Sequence, residues 1–206
     1  MAERPWESEP DSLDFEAEGL PCAMRRNRYR VWCGYVGIPP EHPLYGLPTN
    51  HPLKLPRAWF KNRNSREGYG PMDLFIHAMS GNETIEEACP ISLAFEVHGG
   101  VNFADDGISY ADDHPPDGRW WFGFDCGHAG DYMPGLDPSN FMAEMIESMP
   151  EHVRETMRDI MRKNTTVYRD QQYVVSECQS LAAQLNAIVK IITKENVHGG
   201  ADHRRD

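Results

Sequence analysis

No stretch of the chain approaches the roughly 20 consecutive apolar residues that a membrane helix needs, so no helical membrane span is expected. Paired cysteines are missing as well. Cys22, Cys33, Cys89, Cys126 and Cys178 are odd in number and none stands in a CxxC pair, which fits neither a disulfide framework nor a zinc ribbon and points to reduced thiols. Basic residues are scarce, 20 Lys and Arg against 32 Asp and Glu, for a formal net charge of -12. Such a surface repels nucleic acid over most of its extent, and no extended nucleic-acid surface is expected. Arg25, Arg26, Arg28 and Arg30 do cluster, but a solvated strand margin balancing the acidic N-terminus accounts for them better than a polyanion patch. The acidic start lacks the basic opening and apolar middle of a secretory signal, so a cytoplasmic protein is expected. Neither GxxxxGK[ST], HExxH nor GxSxG is present, and the chain has no internal repeat.

What is present suffices for one packed domain in 206 residues. Residues 1–22 hold many Asp and Glu with Pro5, Pro10 and Pro21; that composition predicts an acidic disordered tail. A single α+β domain then runs over 23–195, with a polar tail at 196–206. Its first strand lies within Tyr29–Ile38, where Val31, Trp32, Tyr35 and Val36 are apolar or aromatic before Pro39-Pro40 stops the run. Residues 47–90 mix Pro, Gly, Asn and basic residues around Ala58-Trp59-Phe60 and Leu74-Phe75-Ile76 without a sustained period. They read as an insertion or long loop, with a short helix near Asp73 to Met79. Leu93, Phe95 and Val97 alternate up to His98, Gly99-Gly100 supply positive φ for a turn, and Val101 and Phe103 lead away, which predicts a hairpin. Three amphipathic helices follow. The first begins at Asp137-Pro138 with Phe141, Met142, Met145 and Ile146, the second carries Val153, Met157, Ile160 and Met161, and the last carries Val174, Cys178, Leu181, Leu185, Ile188 and Ile192. The fold class is therefore α+β, a small mainly antiparallel sheet with a C-terminal group of amphipathic helices. The last helix also offers a seam for a homo-oligomer.

Two polar clusters stand out. One is Val97-His98-Gly99-Gly100; the other is Gly123-Phe124-Asp125-Cys126-Gly127-His128-Ala129-Gly130-Asp131, at the end of the run Trp120 to Phe124. If that run returns antiparallel beside the strand leaving Gly100, both clusters reach one sheet edge. His98, Asp125, His128 and Asp131 are then the candidate catalytic residues, since imidazoles and carboxylates together move protons. Asp125, His128 and Asp131 are alternatively ligands for a divalent metal, and a satisfied structural network of the same groups is the third reading. Arg30, Tyr35, His42, Tyr45, Gly99 and Gly100 are the candidate ligand-binding residues: a cation for phosphate, aromatic rings on a proline-stiffened arm for a base, and glycines that let a ligand approach the backbone. Cys126 is read as a buried inert thiol in preference to a nucleophile. The charged loop Asp105 to Asp117 lacks calcium-loop spacing and is read as solvated.

Tyr35-Val36-Gly37-Ile38-Pro39, Glu41-His42-Pro43-Leu44-Tyr45-Gly46, the two histidine clusters, and Tyr168-Arg169-Asp170 ahead of the last helix together resemble a small-protein family frequent in phage and prophage genomes. The shared blocks cover about residues 28–46, 93–133 and 168–186. The resemblance implies a phage origin, hence the host cytoplasm as location, and marks positions without implying a reaction. Three functions fit the residues. One is a hydrolase, of the phosphodiesterase type, acting on a nucleotide or another phosphate-bearing small molecule such as a nucleotide immune signal, as an anti-defence factor. The second is a non-catalytic binding protein that sequesters such a signal or inhibits a host defence protein. The third is a structural or assembly protein built on the last helix.

Overall fold

The computed structural model describes residues 4–60, 88–108, 116–135, 148–151, 153–155 and 166–198. Along the chain lie β1 (Ser12–Ala17), β2 (Leu20–Arg26), β3 (Trp32–Ile38), β4 (Pro52–Lys54), β5 (Ala88–Pro90), β6 (Phe103–Asp105) and β7 (Trp120–Asp125), followed by a C-terminal helix, Gln171–His198. Five strands form one sheet in the order β1-β2-β3-β7-β6, and every neighbouring pair is antiparallel. β4 and β5 make a separate antiparallel pair. The fold is α+β.

β3 can occupy the centre because both of its faces are covered, and each of its residues is buried. Alternation sorts the side chains. Trp32, Val36 and Ile38, with Phe122 and Phe124 from β7, join the core beneath the C-terminal helix. Cys33, Tyr35 and Trp121 join Ala23 and Ile108 on the other face. Gly34 faces the helix: a Cβ there would stand 2.8 Å from Cys178 Sγ and 2.5 Å from the Phe124 ring, so the missing side chain lets the helix pack close to the sheet. On the helix, Val174, Cys178, Leu181, Leu185 and Ile188 are fully buried and Ile192 is partly buried against the same core. Each large side chain in that stripe contributes up to about 1.5–3 kcal/mol. The stripe is thus covered within one chain and needs no second subunit, which removes the basis for an oligomer seam on this face. No helix among the described residues is long and apolar enough to cross a membrane.

From residue 4 onward, the segment expected to be a disordered tail is an ordered part of the domain. β1 pairs along its whole length with β2, and its burial alternates, Leu13, Phe15 and Ala17 turning inward while Ser12, Asp14 and Glu16 stay exposed. Period-two alternation within an acidic stretch was hidden by bulk composition, because the acids occupy the solvent face. The insertion at 47–90 is likewise not an appendage where it is described: Leu53, Leu55 and Cys89 belong to the main core, and Trp59 Nε1 donates to the Ala94 carbonyl at 2.7 Å. The helix expected near Asp73 to Met79, the one from Asp137, most of the one around Met157, and the polar tail beyond 198 lie outside the described residues.

The hairpin expected across Gly99-Gly100 is half present. β6 leaves as foreseen and pairs with β7, but Ile91–Ala94 is a helical turn and no strand enters. The chain from Phe95 to His98 runs instead beside the C-terminal helix, whose polar side chains take over the role of a partner strand. Gln184 accepts from Glu96 N–H at 2.7 Å and donates to the Glu96 carbonyl at 2.8 Å, and Glu177 accepts from His98 N–H at 2.8 Å. Backbone groups need partners, and side chains can supply them.

Candidate functional site

The β3–β7 register pairs Ile38 with Trp120 at one end of the sheet and Cys33 with Asp125 at the other. At the second end the chain leaves β7 through Cys126, whose N–H donates to the Trp32 carbonyl at 3.0 Å, and turns at Gly127–Gly130. Asp131 is then fixed by a parallel bridge to Val167, just ahead of the C-terminal helix. Asp170 caps that helix, accepting from Tyr173 N–H at 2.8 Å. Three separate segments therefore meet here: the loop carrying His98, the loop from Asp125 to Asp131, and the first turns of the helix.

Asp131 is the hub. Its side chain is 2 % exposed; Oδ1 accepts from Arg169 Nε at 2.9 Å, while Oδ2 pairs with His98 Nε2 at 2.7 Å and accepts from His128 N–H at 3.0 Å. With Nε2–H directed at the carboxylate, His98 Nδ1 is the accepting nitrogen and receives the Tyr173 hydroxyl at 3.0 Å. Burial alone would raise the Asp131 pKa, but the bonds from His98, Arg169 and the His128 amide outweigh it and hold the carboxyl below its ordinary value. Tyr173 moves the other way: burial, with the Glu177 charge behind it, pushes its phenol up to about 12, so it carries its proton at neutral pH. Arg169 stacks over the Tyr173 ring at 4.7 Å and is 30 % exposed.

His128 differs from its neighbours. Its ring meets that of His98 edge to face at 5.3 Å, and Nδ1, although buried, makes no hydrogen bond with any described residue. Oxygens of Asp125 and Asp131 each lie 3.9 Å from Nδ1, beyond hydrogen-bond reach. The side chain as a whole is 37 % exposed, which makes it the imidazole of the pair open to solvent.

His98, Asp125, His128 and Asp131 are thus brought to one end of the sheet. Asp125 also shapes the turn after β7, where it accepts from Asn102 Nδ2 at 2.6 Å and Gly127 N–H at 2.8 Å. Two members of the expected metal set, His128 and Asp131, group among the described residues with His98, their ligand atoms all lying within 4.8 Å of one another, and Asp125 is not in that group. Three of the expected ligand contacts, His42, Tyr45 and Tyr35, fall elsewhere, and Arg30, at the site's end of the sheet, turns its side chain to the N-terminal segment. His42 and Tyr45 follow β3 and lie at the opposite end of the sheet, where His42 is buried, accepts from Leu44 N–H at 3.1 Å through Nδ1 and donates to the Leu185 carbonyl at 2.9 Å through Nε2. Burial lowers its pKa despite the Leu185 bond, as suits a neutral structural imidazole. Tyr45 reaches the Gly118 carbonyl at 3.3 Å. Tyr35 is buried on the face away from the helix, edge-on to Phe103 at 5.2 Å. Arg30 turns the β2–β3 connection at φ 59, with Asp11 at 3.7 Å and the Trp6 carbonyl at 3.3 Å. Cys126 is buried, and burial together with the Asp131 charge drives its thiol far up, which agrees with an inert cysteine.

Gly99 and Gly100 are both closely packed. Gly99 has φ 67 and lies against the His128 ring, which a Cβ would overlap; a Cβ on Gly100 at φ 82 would stand 2.5 Å from the Ser92 carbonyl oxygen. Gly99→Ala is therefore expected to destabilise the fold by about 1–2 kcal/mol and to displace His128. Gly46→Ala is the matched control, because Gly46 has φ 76 with nothing within 4 Å of the added carbon. Thermal melting of both should show Gly99→Ala as the costlier change; equal losses would mean that contact with His128 does not constrain the glycine.

The site residues that sequence reasoning passed over as chemistry are Arg169, Tyr173 and Glu177. Their signal was the i, i+4 spacing of Tyr173 and Glu177, continued at Gln184, which draws a polar stripe beside the apolar one on the last helix. In comparisons with protein-family models, curated proteins and solved structures, the chain matches none.

Proposed function

We propose that the chain is a hydrolase of the phosphodiesterase type that acts on a nucleotide or another phosphate-bearing small molecule. The observation that carries this reading is the buried pair of Asp131 and His98, joined at 2.7 Å with Arg169 on the second carboxylate oxygen and the half-exposed His128 ring alongside. In this reading the His98–Asp131–His128 cluster activates the attacking water. Arg169, which spends only Nε on Asp131 among the described residues, offsets charge on the phosphate with its terminal nitrogens. The phage-family resemblance supports a nucleotide immune signal as substrate and an anti-defence role in the host cytoplasm.

One observation favours a second reading, a binder that sequesters such a signal or inhibits a host defence protein. Asp131 already accepts three hydrogen bonds and Tyr173 keeps its proton, a set of groups that can fix a ligand without titrating. Incubation with linear and cyclic nucleotides, reading mass change and retained ligand together, separates the two. The expected result is a product of changed mass; intact retained ligand favours the binder, and neither signal would overturn both.

A further inference from the structure

We propose that His98, His128 and Asp131 bind one divalent transition-metal ion, with Tyr173 and Arg169 holding two of the three ligands in place. The ligand set is two imidazole nitrogens and one carboxylate oxygen, all within 4.8 Å of one another. Imidazole in this proportion suits zinc, cobalt, nickel or iron; calcium and magnesium call for more oxygen. The buried His128 Nδ1 has no hydrogen-bond partner among the described residues, although a buried ring nitrogen ordinarily finds one. A metal ion between His128 and Asp131 gives it one.

The surrounding groups match what metal ligands require. A ligating histidine normally donates its second ring N–H to a fixed acceptor, and His98 has the Tyr173 oxygen 3.0 Å from Nδ1. A ligating carboxylate is normally anchored through its other oxygen, and Arg169 Nε holds Asp131 Oδ1 at 2.9 Å. Without metal, the His98 Nε2 proton bridges to Asp131 Oδ2 at 2.7 Å. Metal entry replaces that bridge. A proton on Nδ1 would then be donated to the Tyr173 oxygen as the phenol hydrogen turns away. The arginine adds positive charge beside the site, which weakens cation binding, and the single carboxylate offsets only part of the ion's charge.

This inference deepens the hydrolase reading by naming what activates water at the same cluster, yet it is read without substrate. The full chain, stripped with chelator, is titrated with Co²⁺ and then Zn²⁺, following the visible ligand-field absorption of cobalt and the heat of binding. One ion per chain is expected, with Zn²⁺ displacing Co²⁺. His128→Ala should abolish binding, and Tyr173→Phe, which keeps the ring and loses the acceptor, should weaken it about 10–100-fold. Circular dichroism and thermal melting of both variants confirm that they are folded. Binding that survives His128→Ala overturns the site, as does a thiolate-to-cobalt charge-transfer band, which would mean capture by cysteine, or an absence of binding by the folded parent. Nucleotide turnover by a parent that binds no metal would overturn the metal centre and leave the hydrolase standing; stoichiometric metal with no turnover does the reverse.

Discussion

Glu9→Ala is expected to cost about 3–5 kcal/mol of folding stability, the scale set by stripping one partner from a buried ion pair. A single carboxylate near the N-terminus ties together three parts of the fold. Oε2 accepts from Arg26 at 2.6 Å, Tyr168 at 2.7 Å and Trp32 Nε1 at 3.2 Å, while Oε1 accepts from Gln171 N–H at 2.9 Å, at the first residue of the C-terminal helix. The side chains of Glu9 and Arg26 are 14 % and 3 % exposed, and the guanidinium also lies 4.5 Å over the Trp32 ring. Alanine would leave that cation with Asp11 at 3.4 Å as its remaining carboxylate and would take the acceptor from Gln171 N–H at the start of the helix. In a chain of this length the loss corresponds to a fall in Tm of very roughly 6–20 °C, which thermal and urea unfolding would both record. A loss below about 1 kcal/mol would mean that the N-terminal segment decorates the domain without holding it.

The same carboxylate gives a pH dependence with a defined sign. Burial would raise its pKa, but the bonds from Gln171, Tyr168 and Trp32 and the charge of Arg26 together bring it below the ordinary value. A carboxyl depressed in the folded state contributes stability above its unfolded pKa of about 4.3 and loses it as pH falls through the folded value. The stability gap between the parent and Glu9→Gln should therefore be constant at neutral pH and close progressively below about pH 4.

Why Glu9 escaped notice in the sequence shows what a single chain of letters can carry. The last helix and the strands at Trp32–Ile38 and Trp120–Asp125 were legible because their apolar residues recur at the period of the element and are covered on the faces that the period marks. β1 has the same period with acids on its outer face, so composition argued for disorder while alternation argued for a strand; the pairing with β2 decides between them, and pairing is a long-range fact. Leu93 to Val97 shows the opposite failure. Its alternation is genuine, but Glu96 and His98 find backbone partners in Gln184 and Glu177, some 80 residues further on, and no local pattern announces that. The convergence of His98 with Asp131 was legible because it needed only the return of β7 beside β6. His42, Tyr45 and Tyr35 were misplaced because a motif's proximity in sequence to a strand does not say which end or face of the sheet it will occupy.

His128→Ala and Asp131→Ala should part company in a way that separates chemistry from scaffolding at the site. The His128 side chain is 37 % exposed and its Nδ1 makes no hydrogen bond with any described residue, so its removal should change stability by no more than about 1 kcal/mol. Turnover should nevertheless fall about 10²–10⁴-fold, the usual contribution of a positioned proton-transferring or water-activating group. Asp131 is 2 % exposed and accepts from Arg169, His98 and the His128 amide; truncating it strands a guanidinium and an imidazole and should cost about 3–5 kcal/mol besides any function. His98→Ala should fall between the two, since its ring links Asp131 to Tyr173 and its loss leaves both short of a partner. Unfolding midpoints for the three variants, set beside nucleotide turnover or retention by each, provide the check. If His128→Ala proves as destabilising as Asp131→Ala while the surviving folded protein processes or retains a nucleotide as well as the parent does, the cluster is a structural brace between the β7 loop and the C-terminal helix, and the functional site lies elsewhere.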